Sequence, residues 1–420
     1  MKVFKFGGAS ISTPERMQNT ASIIHRFQGE KLMIVISAMG KTTNALEAVT
    51  HAFVAGKTQE ALQLFEQIKQ QHLDILKYLN LIHWQEAEYQ LKDLFTEIEW
   101  LLHDKPVRHF DYYYDQIVSC GELYSTAIMA QLIKEKNTKL KWLDVRDFLR
   151  TDNNFRDAGI DWSFTAQRLH EVVVPLFDSC DILITQGFIG ATDENESTTL
   201  GREGSDFSAA IFANLLNGES VTIWKDVEAV MSADPRKYPE AVIIPSLSFT
   251  EVIEMAYYGA QVIHPKTIKP LQNKNIPLMV KSFIDPDLPG TLISAKSNKN
   301  LPPIIVKKEQ QVLVQFRSKD FSFVEDRPAQ HLQDLYRSIK TKPNISQHTA
   351  ISLLCCFDDH PEKIDALAME ASALFDVAME KNLTLLTIRH FDPQTLQQLT
   401  AGKTILLEQR TTETVQLVMR

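Results

Sequence analysis

Thr198-Thr199-Leu200-Gly201-Arg202-Glu203-Gly204-Ser205-Asp206-Phe207-Ser208-Ala209-Ala210 joins a glycine-framed arginine to the start of a helix. Good helix formers fill residues 209–216, Ser205 reads as the N-cap, Asp206 as a first-turn acid, and Asn217-Gly218 as the stop. The free N–H groups of a helix start attract anions, and a neighbouring guanidinium offers a two-donor fork to a carboxylate or phosphate. A carboxylate beside them suits an amine. Taken alone, the segment reads more simply as a tight loop before a capped helix. Its company elsewhere in the chain reverses that reading.

The first companion is Lys5-Phe6-Gly7-Gly8-Ala9-Ser10, directly after a short apolar strand at residues 3–6. Adjacent glycines let backbone N–H groups approach a phosphate with no Cβ in the way, and Thr13-Pro14-Glu15 then starts a helix. No Gly-Lys-Ser/Thr follows the glycines and no Gly-x-Gly-x-x-Gly spacing is present, so neither a Walker loop nor a dinucleotide fingerprint is indicated. The second companion runs from Val221 to Arg236: a β-rich stretch ends in Lys225-Asp226, Val230 and Met231 offer an apolar floor, and Ala233-Asp234-Pro235-Arg236 is a turn. Open α/β sheets place ligands at such strand ends.

Together with Ser37-Ala38-Met39-Gly40-Lys41-Thr42-Thr43-Asn44, Val118-Ser119-Cys120-Gly121-Glu122, Thr185-Gln186-Gly187-Phe188 and Gly259-Ala260-Gln261-Val262-Ile263-His264-Pro265, these segments resemble the aspartate kinase branch of the amino acid kinase family. The motifs stand in the family's order over residues 1–296. The resemblance implies a three-layer α/β/α sandwich that transfers the γ-phosphoryl group of ATP, with Mg²⁺, to the side-chain carboxylate of L-aspartate, the entry to lysine, threonine and methionine biosynthesis. It implies that Lys5 contacts the transferring phosphoryl group while Gly7, Gly8 and Ser10 cradle it, and that Arg202 clamps a substrate carboxylate. Glu122 and Asp206 would meet the ammonium or order nearby donors, Ser37, Thr43, Phe188 and Ser205 would contact substrate, and Lys225, Asp226, Met231 and Arg236 would line the nucleotide side. No protein-only metal site is implied. For Glu122 a helix-start carboxylate is the rival reading, and His264-Pro265 reads as a structural strand-to-helix turn.

Several positions depart from the commonest family pattern: Ala9 for threonine, Glu203 and Ala229 for glycine, Lys225 for threonine, and Gln261 for a lysine that reaches ATP. Lys225 adds a cation in the motif next to the one that Gln261 lacks, so the charge reads as relocated. The alternatives are a catalytically weakened amino-acid sensor of the same architecture, or another acid kinase of this family. Retained Lys5, Arg202 and Asp206 speak against the sensor.

Of the 420 residues, 44% are hydrophobic and 23% charged, an ordinary globular balance for two or three domains. A net charge of −9 excludes a general nucleic-acid binder, so anionic substrates must be held by local cations such as Lys5, Arg202, Lys225 and Arg236. The four cysteines show no CxxC spacing, and Cys355-Cys356 sits in an apolar strand; with no leader and no apolar run of 18, a cytoplasmic protein with no membrane partner is expected. Residues 31–37 and 181–185 read as buried parallel strands, residues 45–105 as a helical subdomain over the sheet, residues 278–280 as a last strand, and residues 294–303 as a linker. Beyond it, strands at 312–316, 350–357, 383–388, 403–407 and 414–419 alternate with helices at 328–339, 361–375 and 393–399. That is an α+β, ferredoxin-like pattern over residues 303–420, where the family carries tandem ACT domains that pair subunits and bind an effector. The family's lysine-binding cluster is not found there. A homodimer or larger assembly, weak response to lysine or threonine, and no fused homoserine dehydrogenase are expected.

Overall fold

Five consecutive apolar residues, Leu32–Ile36, are all fully buried, which a strand achieves only when both faces of its sheet are covered. The computed structural model describes residues 1–136, 139–298, 300–319 and 327–420, and it divides into two units. The first comprises Met1–Val230, Pro245–Ile253 and Ile263–Ser297; the second comprises Met231–Ile244, Glu254–Val262 and Asn298–Arg420.

In the first unit β1 (Lys2–Phe6), β2 (Leu32–Ile36), β3 (Leu140–Trp142), β4 (Ile182–Gln186), β7 (Ser220–Lys225) and β9 (Leu278–Ser282) run parallel, with β5 (Ile189–Ala191) and β6 (Ser197–Thr199) forming a separate hairpin. The sheet is completed by β8 (Ser246–Ser248) and β10 (Thr291–Ser294), in the order β3-β4-β2-β1-β7-β9-β10-β8. Residues 278–280 are therefore not in a last strand. Antiparallel β10 follows β9 after the Asp285–Gly290 turn, and β8 pairs beyond it. Both added strands are short and half polar (Ser-Leu-Ser and Thr-Leu-Ile-Ser), which hid them from an apolar-run reading.

Helix Gly204–Leu215 packs on β1, β2 and β7 and against helix Pro265–Asn273; helix Cys120–Lys134 packs on β2, β3 and β4 and against helix Pro14–His25. These give the α/β/α sandwich its helical layers. The helices Thr58–Leu79 and Trp84–His103, with their buried stripes of Phe65, Ile68, Leu91, Leu94, Phe95 and Ile98, pack on each other and on Cys120–Lys134. The sheet's connections step outward from β1 in both directions, to β2 on one side and β7 on the other, so the crevice at the carboxyl ends of these strands is the topological place for a ligand.

The second unit contains a six-stranded antiparallel sheet of ACT-like α+β character, order β12-β13-β11-β14-β16-β15. Its strands are β11 (Ile304–Ser318), β12 (Ile345–His348), β13 (Ser352–Asp358), β14 (Phe375–Arg389), β15 (Ile405–Arg410) and β16 (Thr414–Met419). Val312, Val314, Phe316, Cys355, Phe357 and Phe375 bury one core beneath helices Arg327–Ser338 and Pro361–Ala371; Leu386, Ile388, Val415 and Leu417 bury another with Leu396 and Leu399 of helix Pro393–Thr400. The strands expected at 312–316 and 383–388 are the apolar parts of two 15-residue strands, and the helix expected through residue 375 ends at Ala371. Charged Lys307-Lys308-Glu309 and Glu380-Lys381 broke the apolar pattern, yet the backbone ladder runs past them, with a bulge at 308–311. The first residues of the helix expected at 328–339 carry no described side chains.

Gly187, just after β4, is a tight contact between sheet and helix. A Cβ there would lie 2.6 Å from the Ser205 Cβ and 2.8 Å from the Val35 Cγ1. Gly187→Ala should therefore destabilise the first unit by about 1–3 kcal/mol, the usual cost of overpacking. Urea denaturation should show a lower midpoint at unchanged slope.

Candidate active site

The carboxyl ends of β1, β2, β4 and β7 meet the start of helix Gly204–Leu215 in a cleft of about 540 Å³. Lys5 projects from β1 so that its Nζ lies 2.7 Å from Oδ1 of Asp206, with both side chains almost wholly buried. Burial alone would raise the Asp206 carboxyl, but Lys5 and Lys225 outweigh it and hold the group below the ordinary carboxylate range. Asp206 is an anion within an arc of cations.

The loop after β1 touches the loop after β2: the Gly40 N–H donates to the Gly8 carbonyl at 3.1 Å, and a Cβ on Gly8 would stand 2.5 Å from the Ala38 carbonyl oxygen. Gly8 is thus held bare at the cleft wall. Ser10 turns away and donates to the Gly7 carbonyl at 2.6 Å, bracing the turn from behind.

The helix start differs from the expected cap. Glu203, not Ser205, occupies the N-cap position, in left-handed backbone with φ 55° and without capping its own helix. Its carboxylate instead accepts the His264 N–H at 2.9 Å. Gly201, also left-handed, turns the chain early, so Ser205 and Asp206 enter the first helical turn and face the cleft. His264 caps helix Pro265–Asn273 through its ring, Nδ1 accepting the Lys266 N–H at 3.2 Å. That is the structural turn expected, though no strand directly precedes it.

Of the residues singled out from sequence, Lys5, Gly8, Ser37, Thr43, Glu122, Phe188, Arg202, Ser205, Asp206 and Lys225 line this cleft. Gly7, Ser10, Asp226, Met231 and Arg236 are not among its lining residues. Asp226 is exposed. Met231 and Arg236 belong to the second unit; Met231 bridges to Ile243, and the Arg236 fork is closed on Asp234 through Nε and Nη2, both at 3.0 Å. Arg202 is exposed and makes no hydrogen bond or ion pair among the described residues.

Tyr114, Arg156, Thr199 and Glu203 also line the cleft and were missed. Asp115, the buried one of the two carboxylates in helix Phe110–Val118, holds two of them, and no local pattern marked it. Buried Asp115 accepts the Thr199 hydroxyl and N–H, both at 2.7 Å, and the Arg156 N–H at 3.0 Å. Burial pushes its carboxyl up to about 6 against the pull of these donors.

Glu122 sits in the first turn of helix Cys120–Lys134, wholly enclosed. Burial pushes its carboxyl up to about 8, opposed by the Ala38 N–H and the charge of Lys5, and Oε2 has no partner among the described residues. Such a group becomes ionised when a cation arrives beside it.

The amino acid kinase family model matches residues 1–282, two-thirds of the chain. This chain belongs to the amino acid kinase family. Among curated relatives of this family, the lysine-sensitive aspartokinase 3 of Escherichia coli K12 is 34% identical over 302 residues, covering 72% of this chain and 65% of the relative. The chloroplastic bifunctional aspartokinase/homoserine dehydrogenase 1 of Zea mays is 33% identical over 312 residues, covering 71% of this chain and 33% of the relative. The chain thus matches between a third and two-thirds of the length of these relatives. Among solved structures, E. coli aspartokinase III in complex with aspartate and ADP (R-state) superposes with a TM-score of 0.80 at 27% identity, covering 100% of this chain and 96% of that one. Among the described residues no helix is long and apolar enough to cross a membrane, and all four cysteines are free thiols.

The raised Glu122 carboxyl makes stability depend on pH. It titrates near 8 in the folded state and near its ordinary 4.5 when unfolded, so its stabilising contribution is complete below about pH 4.5 and lost as pH rises to about 8. Glu122→Gln carries no such titration. Its melting temperature should exceed that of the natural chain by roughly 4 °C at about pH 8, with the gap closing towards pH 5. Thermal melts across that range read the difference; a gap independent of pH would mean that Glu122 is ionised in the folded state.

Proposed function

We propose that this chain is an aspartate kinase, transferring the γ-phosphoryl group of ATP to the β-carboxylate of L-aspartate to give 4-phospho-L-aspartate. One observation carries the reading: a single cleft holds the buried Lys5–Asp206 pair, the unpartnered Arg202 fork and enclosed Glu122. The likeness over the whole chain to an aspartokinase crystallised with aspartate and ADP supports it.

An aspartate side chain is ionised at neutral pH, so the reaction needs no general base; it needs positioning and neutralisation of phosphate charge. Arg202 clamps the α-carboxylate, and Glu122 ionises against the substrate ammonium. Ser37, Thr43, Phe188 and Ser205 complete the acceptor's surroundings. Lys5, oriented by Asp206, meets the transferring phosphoryl group, while bare Gly8, in the turn formed with Gly7 and Ser10, admits the phosphates. Lys225 stands on the same wall and supplies charge on the nucleotide side.

The residues fit a magnesium nucleotide. Cations and a bare backbone turn face the phosphates, and anionic Asp206 would help to hold Mg²⁺ arriving on ATP, which would neutralise charge on the phosphates. The free thiols suit a cytoplasmic enzyme, at the entry to lysine, threonine and methionine biosynthesis. The ACT-like second unit pairs subunits into a homodimer or larger assembly, with weak or absent response to lysine or threonine; light scattering and activity titrations with both amino acids test this.

Hydroxylamine trapping should detect acyl phosphate with aspartate and ATP, and none with glutamate. Arg202→Ala should lower kcat/KM for aspartate by the equivalent of about 2–4 kcal/mol, and Arg202→Lys should restore little because an ammonium lacks the planar fork. Unchanged aspartate kinetics would return Arg202 to a purely structural place in the loop. Lys5→Met should lower kcat by on the order of 10²–10³, while a loss confined to KM would make Lys5 a ground-state binding residue.

A further inference from the structure

Arg156 lines the same cleft, although its surroundings, Asn153-Asn154-Phe155-Arg156-Asp157, carry no recognisable motif. Its backbone is left-handed, φ 70°, a conformation that favours glycine. The chain nevertheless keeps the longest cationic side chain there. Its N–H donates to Asp115 at 3.0 Å, which anchors the loop whatever the side chain does.

The guanidinium is held from three sides. Its Cζ lies 4.3 Å from the ring centroid of Tyr114, another cleft residue, Nη1 donates to Asp111 at 3.1 Å, and Nη2 stands 3.9 Å from Glu47, beyond a hydrogen bond. Nε and Nη2 donate no hydrogen bond among the described residues, and the side chain is 44% exposed. A stacked, oriented fork with an open edge is prepared for a planar anion.

The geometry points to Arg156 as a specificity-determining residue that, together with Arg202, clamps the α-carboxylate of the amino-acid acceptor. The inference rests on the reading of the cleft as an aspartate site. An acceptor that attacks through one carboxylate needs its other carboxylate held away from the phosphates. Lys5 is committed to Asp206, whereas Arg202 has no such partner and Arg156, ion-paired at the surface with Asp111 and Glu47, still has Nε and Nη2 without a hydrogen bond among the described residues. Loss of the Arg156 charge would also leave Asp111 and Glu47 to repel an anionic substrate.

Arg156→Gly isolates the side chain, because glycine adopts this backbone without strain and keeps the N–H bonded to Asp115. With saturating ATP, the natural chain, Arg156→Gly and Tyr114→Leu are compared on L-aspartate and on its α-amide, which lacks the α-carboxylate charge. Arg156→Gly should keep or raise the melting temperature, hold kcat within about twofold, and raise KM for aspartate about 5–30-fold. The preference for aspartate over the α-amide should fall by a similar factor. Tyr114→Leu, which removes the stack but leaves the charge, should raise KM by about 2–5-fold. Calorimetric titration of L-aspartate needs no turnover and should show at least fivefold weaker binding to Arg156→Gly. Unchanged affinity and unchanged discrimination in that variant would overturn the clamp. Absence of acyl phosphate from the natural chain would refute the kinase reading instead, leaving calorimetry to decide the clamp.

Discussion

The buried pair between Lys5 and Asp206 ties the sheet to the helix that closes the cleft. Lys5 belongs to the strand at the centre of the topological switch, and Asp206 to the first turn of the helix packed across it. Two charges withdrawn from water are seldom a gain in stability by themselves, but each left without the other would be a severe cost. The pair therefore specifies how the helix docks. Lys225, from the neighbouring strand, adds a second positive charge that keeps Asp206 ionised. In the proposed reaction an arriving phosphate would draw on a lysine already desolvated and oriented, which leaves little reorganisation for the transfer itself.

Much of this arrangement was legible in the sequence, for a physical reason. Strands buried on both faces must be continuously apolar, and residues at their carboxyl ends then fall together whatever the intervening chain does, so Lys5, Ser37, Phe188 and Lys225 could be assembled from four local patterns. The helix start was misread by two residues. A serine before an apolar run is the usual cap, but here Gly201 and left-handed Glu203 turn the chain first, and Glu203 spends its carboxylate on the His264 N–H. Short, half-polar β8 and β10 and the charged middles of β11 and β14 were lost for a related cause: main-chain pairing leaves no periodic trace in side chains that face water. Arg156 and Tyr114 come from a polar loop and an aromatic helix, where nothing local distinguishes a cleft residue from a surface one.

The residues that line the cleft are held at a cost. Arg156, Phe188 and Glu203 all have left-handed backbone, at φ 70°, 71° and 55°, although each carries a side chain. Each is held by a bond from outside its own turn: Arg156 by Asp115, Phe188 by the Ser208 hydroxyl, Glu203 by His264. Strain of this kind persists only where the surroundings over-determine it, and it concentrates where a site must be pre-formed.

Glu122 completes the same logic electrostatically. A carboxyl enclosed deeply enough to titrate near 8 opposes folding at neutral pH, and a glutamine would remove that opposition. What a glutamine lacks is the capacity to become charged when an ammonium enters. Burial makes the empty site neutral at this position, and a bound cation makes it anionic, so the interaction strengthens in the low-dielectric interior where it is most effective. The protonated Glu122 also contributes no negative charge to a cleft that, under the proposed function, would admit polyanions. Under the proposed function, selectivity would follow from occupancy: an acceptor bringing its own ammonium would restore the missing charge at Glu122, while an anion without one would not.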